Sequence, residues 1–378
     1  MKKFTEQFVL LRQKLHQCAE LSHHESKTKK ILLDFLTPLA PSRVKNFANG
    51  KTLYVEFDSE KPGPFKILRA DLDALPIPET KKLSYSSHQA GVSHKCGHDG
   101  HMALVCMAAS LFCQGHGSGK LGLLFQHAEE TGEGAKEVVA DQDFTLKPDF
   151  IVGFHNIPTL SMGTVAVAND VFACASTGLR LSFMGTTSHA AYPDLAKNFW
   201  PDILELTQFA QSLVSKAHDD DFFLCSLVHL ALGEEDFGIT PGNGQVSFTL
   251  RAKKQTLLDQ RLELLLQKAK ELSSNLGLTL SHQLIDPFPS LEVHAPVSDI
   301  VRQAALDNSI QVKEMDFPYY WSEDFGHFTQ KVPGTYFGLG IEIDHELHHP
   351  HYDFNDLAFE QYQDFFKTLT SSDLNALV

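Results

Sequence analysis

The sequence lacks the marks of several large protein classes. It has no run of 18 or more apolar residues, so no membrane-spanning helix is expected. Basic residues are the minority, 32 Lys plus Arg against 47 Asp plus Glu for a formal charge of -15, which argues against a binder of the nucleic-acid backbone. Six cysteines among 378 residues, at 18, 96, 106, 113, 174 and 225, show no paired spacing and no C-x-x-C. We therefore expect no disulfide framework, a cytoplasmic location and at least one thiol free for chemistry. The phosphate loop G-x-x-x-x-G-K-[ST], G-x-S-x-G and P-C-x-x-C are all missing, which removes several common rival enzyme classes. Residues 8–11 form an apolar run too short for a signal peptide, closely flanked by Glu6 and Arg12, and read as part of an amphipathic helix.

With 43% apolar and 21% charged residues over this length, the composition fits two or three globular domains with ample cores. Phe4, Phe8, Leu11 and Leu15 recur at helical spacing, and a second helix is expected over 28–36, before Pro38 and Pro41. Strands over 52–57, 65–69, 121–125 and 150–154 alternate with helices over 101–112 and 135–140. This pattern implies an α/β domain whose central, mostly parallel sheet is flanked by helices. From about Thr177 the order becomes strand 178–184, helix 200–217, strands 222–231 and 245–251, helix 256–273 and strand 277–285. That is the ferredoxin-like βαββαβ unit, so residues 176–285 are expected to form an inserted domain between 1–175 and 286–378. A helix over 297–306, a strand over 334–340 and a terminal helix from Asn355 complete the expected catalytic domain.

Candidate chemistry is densest in His94-Lys-Cys-Gly-His-Asp-Gly-His101. Cys96 and His98, two apart before an apolar helical run, would point to one side of an extended segment. A thiolate near a helix N-terminus is also expected to have a lowered pKa. His88, His94 and His101 are read as surface residues or as supports behind the ligands. Glu129 and Glu130 follow a strand end, where α/β sheets place active sites. In a metal centre one such carboxylate binds the ion while its neighbour moves a proton. His155 and His348 are further strand-end candidates, and metal ligands must converge from separate strand ends.

The ordered blocks resemble the two-metal amidohydrolases that include aminoacylases, carboxypeptidase G, hippurate hydrolase and the auxin-conjugate hydrolases. They are Arg69-Ala-Asp-Leu-Asp-Ala-Leu-Pro76, Cys96-Gly-His-Asp-Gly-His101, Glu129-Glu130, Gly153-Phe-His155, Ser188-His-Ala-Ala191, Thr249-Leu-Arg251, Ser322-Glu-Asp-Phe325 and Leu347-His348. Within that family the chain looks like the branch with a metal-centre cysteine. The resemblance implies Cys96, His98, Glu130, His155 and His348 as ligands of two divalent ions, with the Cys96 sulfur bridging them. It also implies Glu129 as general base and then general acid, and Asp73 as a support behind the ligands. His189 would stabilise the oxyanion, Arg251 would hold a substrate carboxylate, and the ferredoxin-like domain would act as a lid.

Two departures stand out. Gly238-Ile-Thr-Pro241 lacks the asparagine expected before the Thr-x-Arg strand, so Arg251 works alone or Asn243 substitutes. His127 stands where a proline is expected, and we read it as a change in loop stiffness rather than an added ligand. The implied function is hydrolysis of the amide bond of N-acyl amino acids or short N-blocked peptides by a metal-bound hydroxide. Zinc suits a thiolate ligand, with manganese, cobalt or nickel as alternatives. A catalytically impaired binding protein for acylated metabolites and a dipeptidase are the competing readings. The expected partner is a small molecule, with no nucleic acid or membrane, and homo-oligomer formation stays open.

Overall fold

The computed structural model describes residues 2–216, 218 and 220–371; Ala217, the expected end of the helix beginning at Trp200, lies outside them. Helices α1 (Lys2–Gln17) and α2 (Ser26–Leu36) precede strands β1 (Arg43–Phe47), β2 (Thr52–Asp58) and β3 (Phe65–Asp71). Then come α3 (His98–Leu111), β4 (Lys120–Gln126), α4 (Gly134–Ala140), β5 (Phe150–Ile157), β6 (Thr164–Val167) and β7 (Val171–Ala173). These are followed by β8 (Ala175–Met184), α5 (Trp200–Ser212), β9 (Phe223–Leu232), β10 (Asn243–Ala252), α6 (Gln255–Leu276) and β11 (Thr279–Phe288). The chain continues through β12 (Leu291–Glu292), α7 (Ala295–Asp307), β13 (Gln311–Glu314), α8 (Gly326–Thr329), β14 (Gly334–Gly340), α9 (Leu357–Gln361) and α10 (Gln363–Ser371).

The chain divides into two compact units: Met1–Phe172 with Leu291–Asp316 and Asp324–Val378, and Ala173–Ser290 with Phe317–Glu323. The first holds an eight-stranded sheet in the order β1-β2-β4-β3-β5-β14-β6-β13. Its central strands β4, β3, β5 and β14 run parallel. Antiparallel pairing enters at β1–β2, β2–β4 and β14–β6. Every residue of β5 and β14 is buried, as expected of parallel strands covered on both faces. All of α3 is buried too, because from Met102 onward the helix is almost wholly apolar and packs within the core rather than along its edge.

Gly97, immediately before α3, has φ 94°, a left-handed conformation that L side chains rarely adopt. A Cβ there would also lie 2.1 Å from Asn156 Oδ1. This turn separates Cys96 from the helix that begins at His98. The expected extended Cys96–His98 segment is therefore replaced by a left-handed turn, and the helix starts three residues earlier than the apolar pattern suggested.

The second unit contains an antiparallel sheet in the order β11-β8-β10-β9, the βαββαβ arrangement. Buried and half-buried residues alternate along β8 and β10, so one face packs on a core with α5 and α6. Tyr319 is bridged to Ala173, which brings Phe317–Glu323 into this unit.

Candidate metal centre

In the first unit, parallel pairing puts the C-terminal ends of β3, β4 and β5 on one side of the sheet. Asp71 at the end of β3 pairs with Gln126 at the end of β4. Asp73, the Glu129–Glu130 pair and His155 lie at or just beyond these ends, where side chains from different strands can converge. His348 does not fall at a strand end: β14 stops at Gly340. A loop delivers it, with φ 64° at His348 and its N–H donating to Lys95 O at 2.7 Å.

Ligand atoms of Cys96, His98 and His155 lie within 4.8 Å of one another, and so do those of Cys96, Glu130 and His348. Cys96 is common to both sets. Its Sγ is 3.3 Å from His155 Nε2 and 3.3 Å from His348 Nε2. Glu130 reaches 3.9 Å from His98 Nε2 and 3.7 Å from His348 Nε2 through its two oxygens. Glu129 Oε2 lies 3.9 Å from His98 Nε2, and the residue is buried.

Neighbouring groups orient the imidazoles. His98 Nδ1 is 2.9 Å from the Asp73 carbonyl and His155 Nδ1 is 2.8 Å from the Asn156 carbonyl. A carbonyl only accepts, so each Nδ1 carries a proton, and each ring in its neutral form turns an Nε2 lone pair into the cluster. His98 Nε2 is buried and has no hydrogen-bond partner among the described residues. This buried, unmatched nitrogen, with a cysteine sulfur, two further imidazoles and a carboxylate around it, fits a divalent-cation centre. Asp73 also accepts from the Glu130 N–H at 3.0 Å and from Ser22 Oγ at 2.8 Å, tying strand β3 to the Glu129–Glu130 turn.

The electrostatics correct one expectation. Burial, followed by the charges of Glu130 and Glu129, pushes the Cys96 thiol well above its ordinary value. It is not lowered by the helix N-terminus, because desolvation and two nearby carboxylates outweigh any helix-end field. Burial pulls His98 down, but Asp73, Asp71 and Glu130 outweigh it and hold it at about 10. Asp73 is held at about 2: burial opposes this, but the partnership with His98 prevails. Without an ion, these surroundings favour a protonated thiol and imidazole. A cation binding there therefore displaces protons.

His94 is buried with neither ring nitrogen hydrogen-bonded among the described residues. His101 is buried against Asn156, and His88 is exposed. Upstream residues also hold the site, and no local motif announced them. Glu25 Oε1 accepts from the Ala128 N–H at 2.9 Å, and Ala128 has φ 51°. Burial and then the Asp73 charge lift the Glu25 carboxyl to about 7.

In the second unit, exposed His189 is bridged to Ile239, and its Nδ1 accepts from the Ala191 N–H at 3.1 Å. The 238–241 segment, which lacks the asparagine, is bound to this turn through Thr240 N and Ser188 O at 2.9 Å. Arg251 Nη1 donates to Tyr320 O at 2.7 Å and to Ser322 Oγ at 3.2 Å.

Comparison with known proteins places the chain in a family. Residues 67–370 match peptidase family M20/M25/M40. The chain is 29% identical to the N-acetyl-L-cysteine deacetylase of Bacillus subtilis over 362 residues, covering 93% of this chain and 85% of that protein. It is 28% identical to the N-acetyldiaminopimelate deacetylase of Listeria innocua over 355 residues, covering 91% and 93%. In fold it resembles the crystal structure of the Bacillus subtilis YXEP protein, described as a dinuclear metal binding peptidase from the M20 family. That likeness has a TM-score of 0.85, 23% identity and coverage of 100% of this chain and 99% of that one. The chain belongs to peptidase family M20/M25/M40 and is a hydrolase.

Proposed function

We propose that the chain hydrolyses the amide bond of N-acyl amino acids or short N-blocked peptides, with Glu129 moving the proton. Cys96, His98, Glu130, His155 and His348 would hold two divalent cations. The observation that carries this reading is the sharing of Cys96 by two ligand sets, with Glu129 beside them as a second carboxylate. The N-acetyl substrates in the names of the two deacetylase relatives support the substrate class.

When bound, two cations polarise the scissile carbonyl and lower the pKa of water at the centre. Glu129 takes a proton from the attacking water and passes it to the leaving amine. Asp73 keeps His98 in the tautomer that faces the centre and braces the backbone of Glu130. Glu25 fixes the turn before the carboxylate pair. His189 donates to the developing oxyanion and Arg251 holds the substrate carboxylate. If so, His189→Ala lowers kcat by ~10² to 10³; an effect confined to KM would assign it to binding instead. A thiolate among imidazoles favours zinc, with manganese, cobalt and nickel as alternatives.

The experiment is a hydrolysis screen of N-acetyl, N-benzoyl and indole-acetyl amino acids against free dipeptides, with each metal supplied in turn. Turnover of N-acyl amino acids with little of the dipeptides supports the proposal. Preference for free dipeptides, or binding of N-acyl amino acids without turnover under every metal, contradicts it.

A further inference from the structure

His127 has a position that loop stiffness does not explain. Its ring is fully buried, with Nδ1 2.8 Å from Thr52 Oγ1 and Nε2 3.0 Å from Glu137 Oε2. His23 lies edge to face with it at 5.5 Å between ring centres, and His23 Nε2 is 2.6 Å from Glu133 Oε2. Ligand atoms of His23, His127 and Glu137 all lie within 4.8 Å of one another. The Lys51 ammonium stands among them, 2.9 Å from Glu137 Oε2 and 3.3 Å from His23 Nδ1.

These contacts show which ring nitrogens border the place that Lys51 occupies. A charged ammonium donates and cannot accept, so His23 Nδ1 presents a lone pair to it and the ring proton sits on Nε2, toward Glu133. His127 Nε2 donates to the Glu137 carboxylate in this structure, since a carboxylate only accepts; a cation taking that place would move the ring proton to Nδ1, where the Thr52 hydroxyl can accept it. Each ring then has its outward N–H held by an oxygen, the way proteins orient metal-binding histidines. Glu133 and Glu137 carry two negative charges against the single positive charge of Lys51. The Lys51 side chain is 34% exposed, so it has a path into solvent.

We propose that His23, His127 and Glu137 form a third divalent-cation site, separate from the Cys96-centred pair, in which Lys51 is the resident cation that the metal displaces. Two imidazoles and a carboxylate without sulfur suit zinc, cobalt or nickel. An ion there joins the end of β4, helix α4 and the turn at His23 through one set of bonds.

The test is Zn²⁺ binding to the metal-free full chain, measured by equilibrium dialysis with elemental analysis, beside the variants His127→Gln, Glu137→Gln and Lys51→Met. Wild type should take up one more Zn²⁺ than either Gln variant. Lys51→Met should bind that extra ion at least ~10-fold more tightly, since a neighbouring like charge has been removed. Cobalt at this site should lack the thiolate charge-transfer band that Cys96 would give. Equal ion counts in wild type and both Gln variants would overturn the site, as would an extra ion indifferent to Lys51→Met. Glu137 is 36% exposed, so its variant remains decisive if the buried His127 substitution fails to fold. The readout is a difference between chains, so failure of the Cys96-centred reading would change the shared count and leave this difference intact.

Discussion

Single side chains differ in how many partners depend on them, and Cys96 links the two sets that together contain the five proposed ligands. Its sulfur belongs to both ligand sets, whereas His155 and His348 each belong to one set with it. Cys96→Ala should therefore leave less than about one ion per chain, and His155→Ala should leave about one, as sites that have lost a ligand fall below the affinity needed to retain metal. Elemental analysis after dialysis against dilute zinc checks this; two ions retained by Cys96→Ala would exclude a shared sulfur. Cys96, Glu129, Glu130 and His155 were legible as candidates because they stand beside strand ends or a helix start that apolar patterning reveals. Ser22 and Glu25 were not, because their roles arise only when the chain folds back and sets them against Asp73 and Ala128. The height of the Cys96 pKa was likewise hidden, since it depends on burial and on two carboxylates brought from another strand.

Between elements, a buried charge network joins α1 to the start of α3. Arg12 lies 3.3 Å from Asp99, and His16 bridges Asp99 at 2.9 Å and Glu79 at 2.7 Å. Burial alone would lower the His16 pKa, but its bonds to Asp99 and Glu79 outweigh this and hold it at about 9. The folded state thus favours the protonated ring relative to an unfolded value near ~6.5. This stabilisation is complete below about pH 6.5 and is lost as pH rises through about 9. The stability gap between wild type and His16→Gln, from urea unfolding, should be largest near pH 6 and shrink by roughly 3 kcal/mol by pH 9. A gap that is constant or widens with pH would show that His16 is not held charged. The long elements were readable in the sequence and the short ones were not. β13, whose four residues are half-buried or exposed, offers no apolar alternation, and β1 buries only Phe47. β6 is fully buried but has only four residues, too few to display a period.

At the scale of the whole molecule, the two units have separate apolar cores, and all five proposed ligands belong to the first. An ion that binds only the folded site stabilises the unit that holds it. Chelation should therefore speed amide hydrogen exchange around α3 and the Glu129–Glu130 turn, with little change in α5 and α6. Equal acceleration in both units would contradict a centre confined to the first. The division of labour between Glu129 and Glu130 is the central claim, and kcat with metal content of Glu129→Gln beside Glu130→Gln tests it most directly. The account predicts that Glu129→Gln keeps two ions and a near-normal KM while kcat falls by ~10² to 10⁴, and that Glu130→Gln loses metal together with activity. Near wild-type turnover by Glu129→Gln, or loss of its metal as in Glu130→Gln, would contradict it.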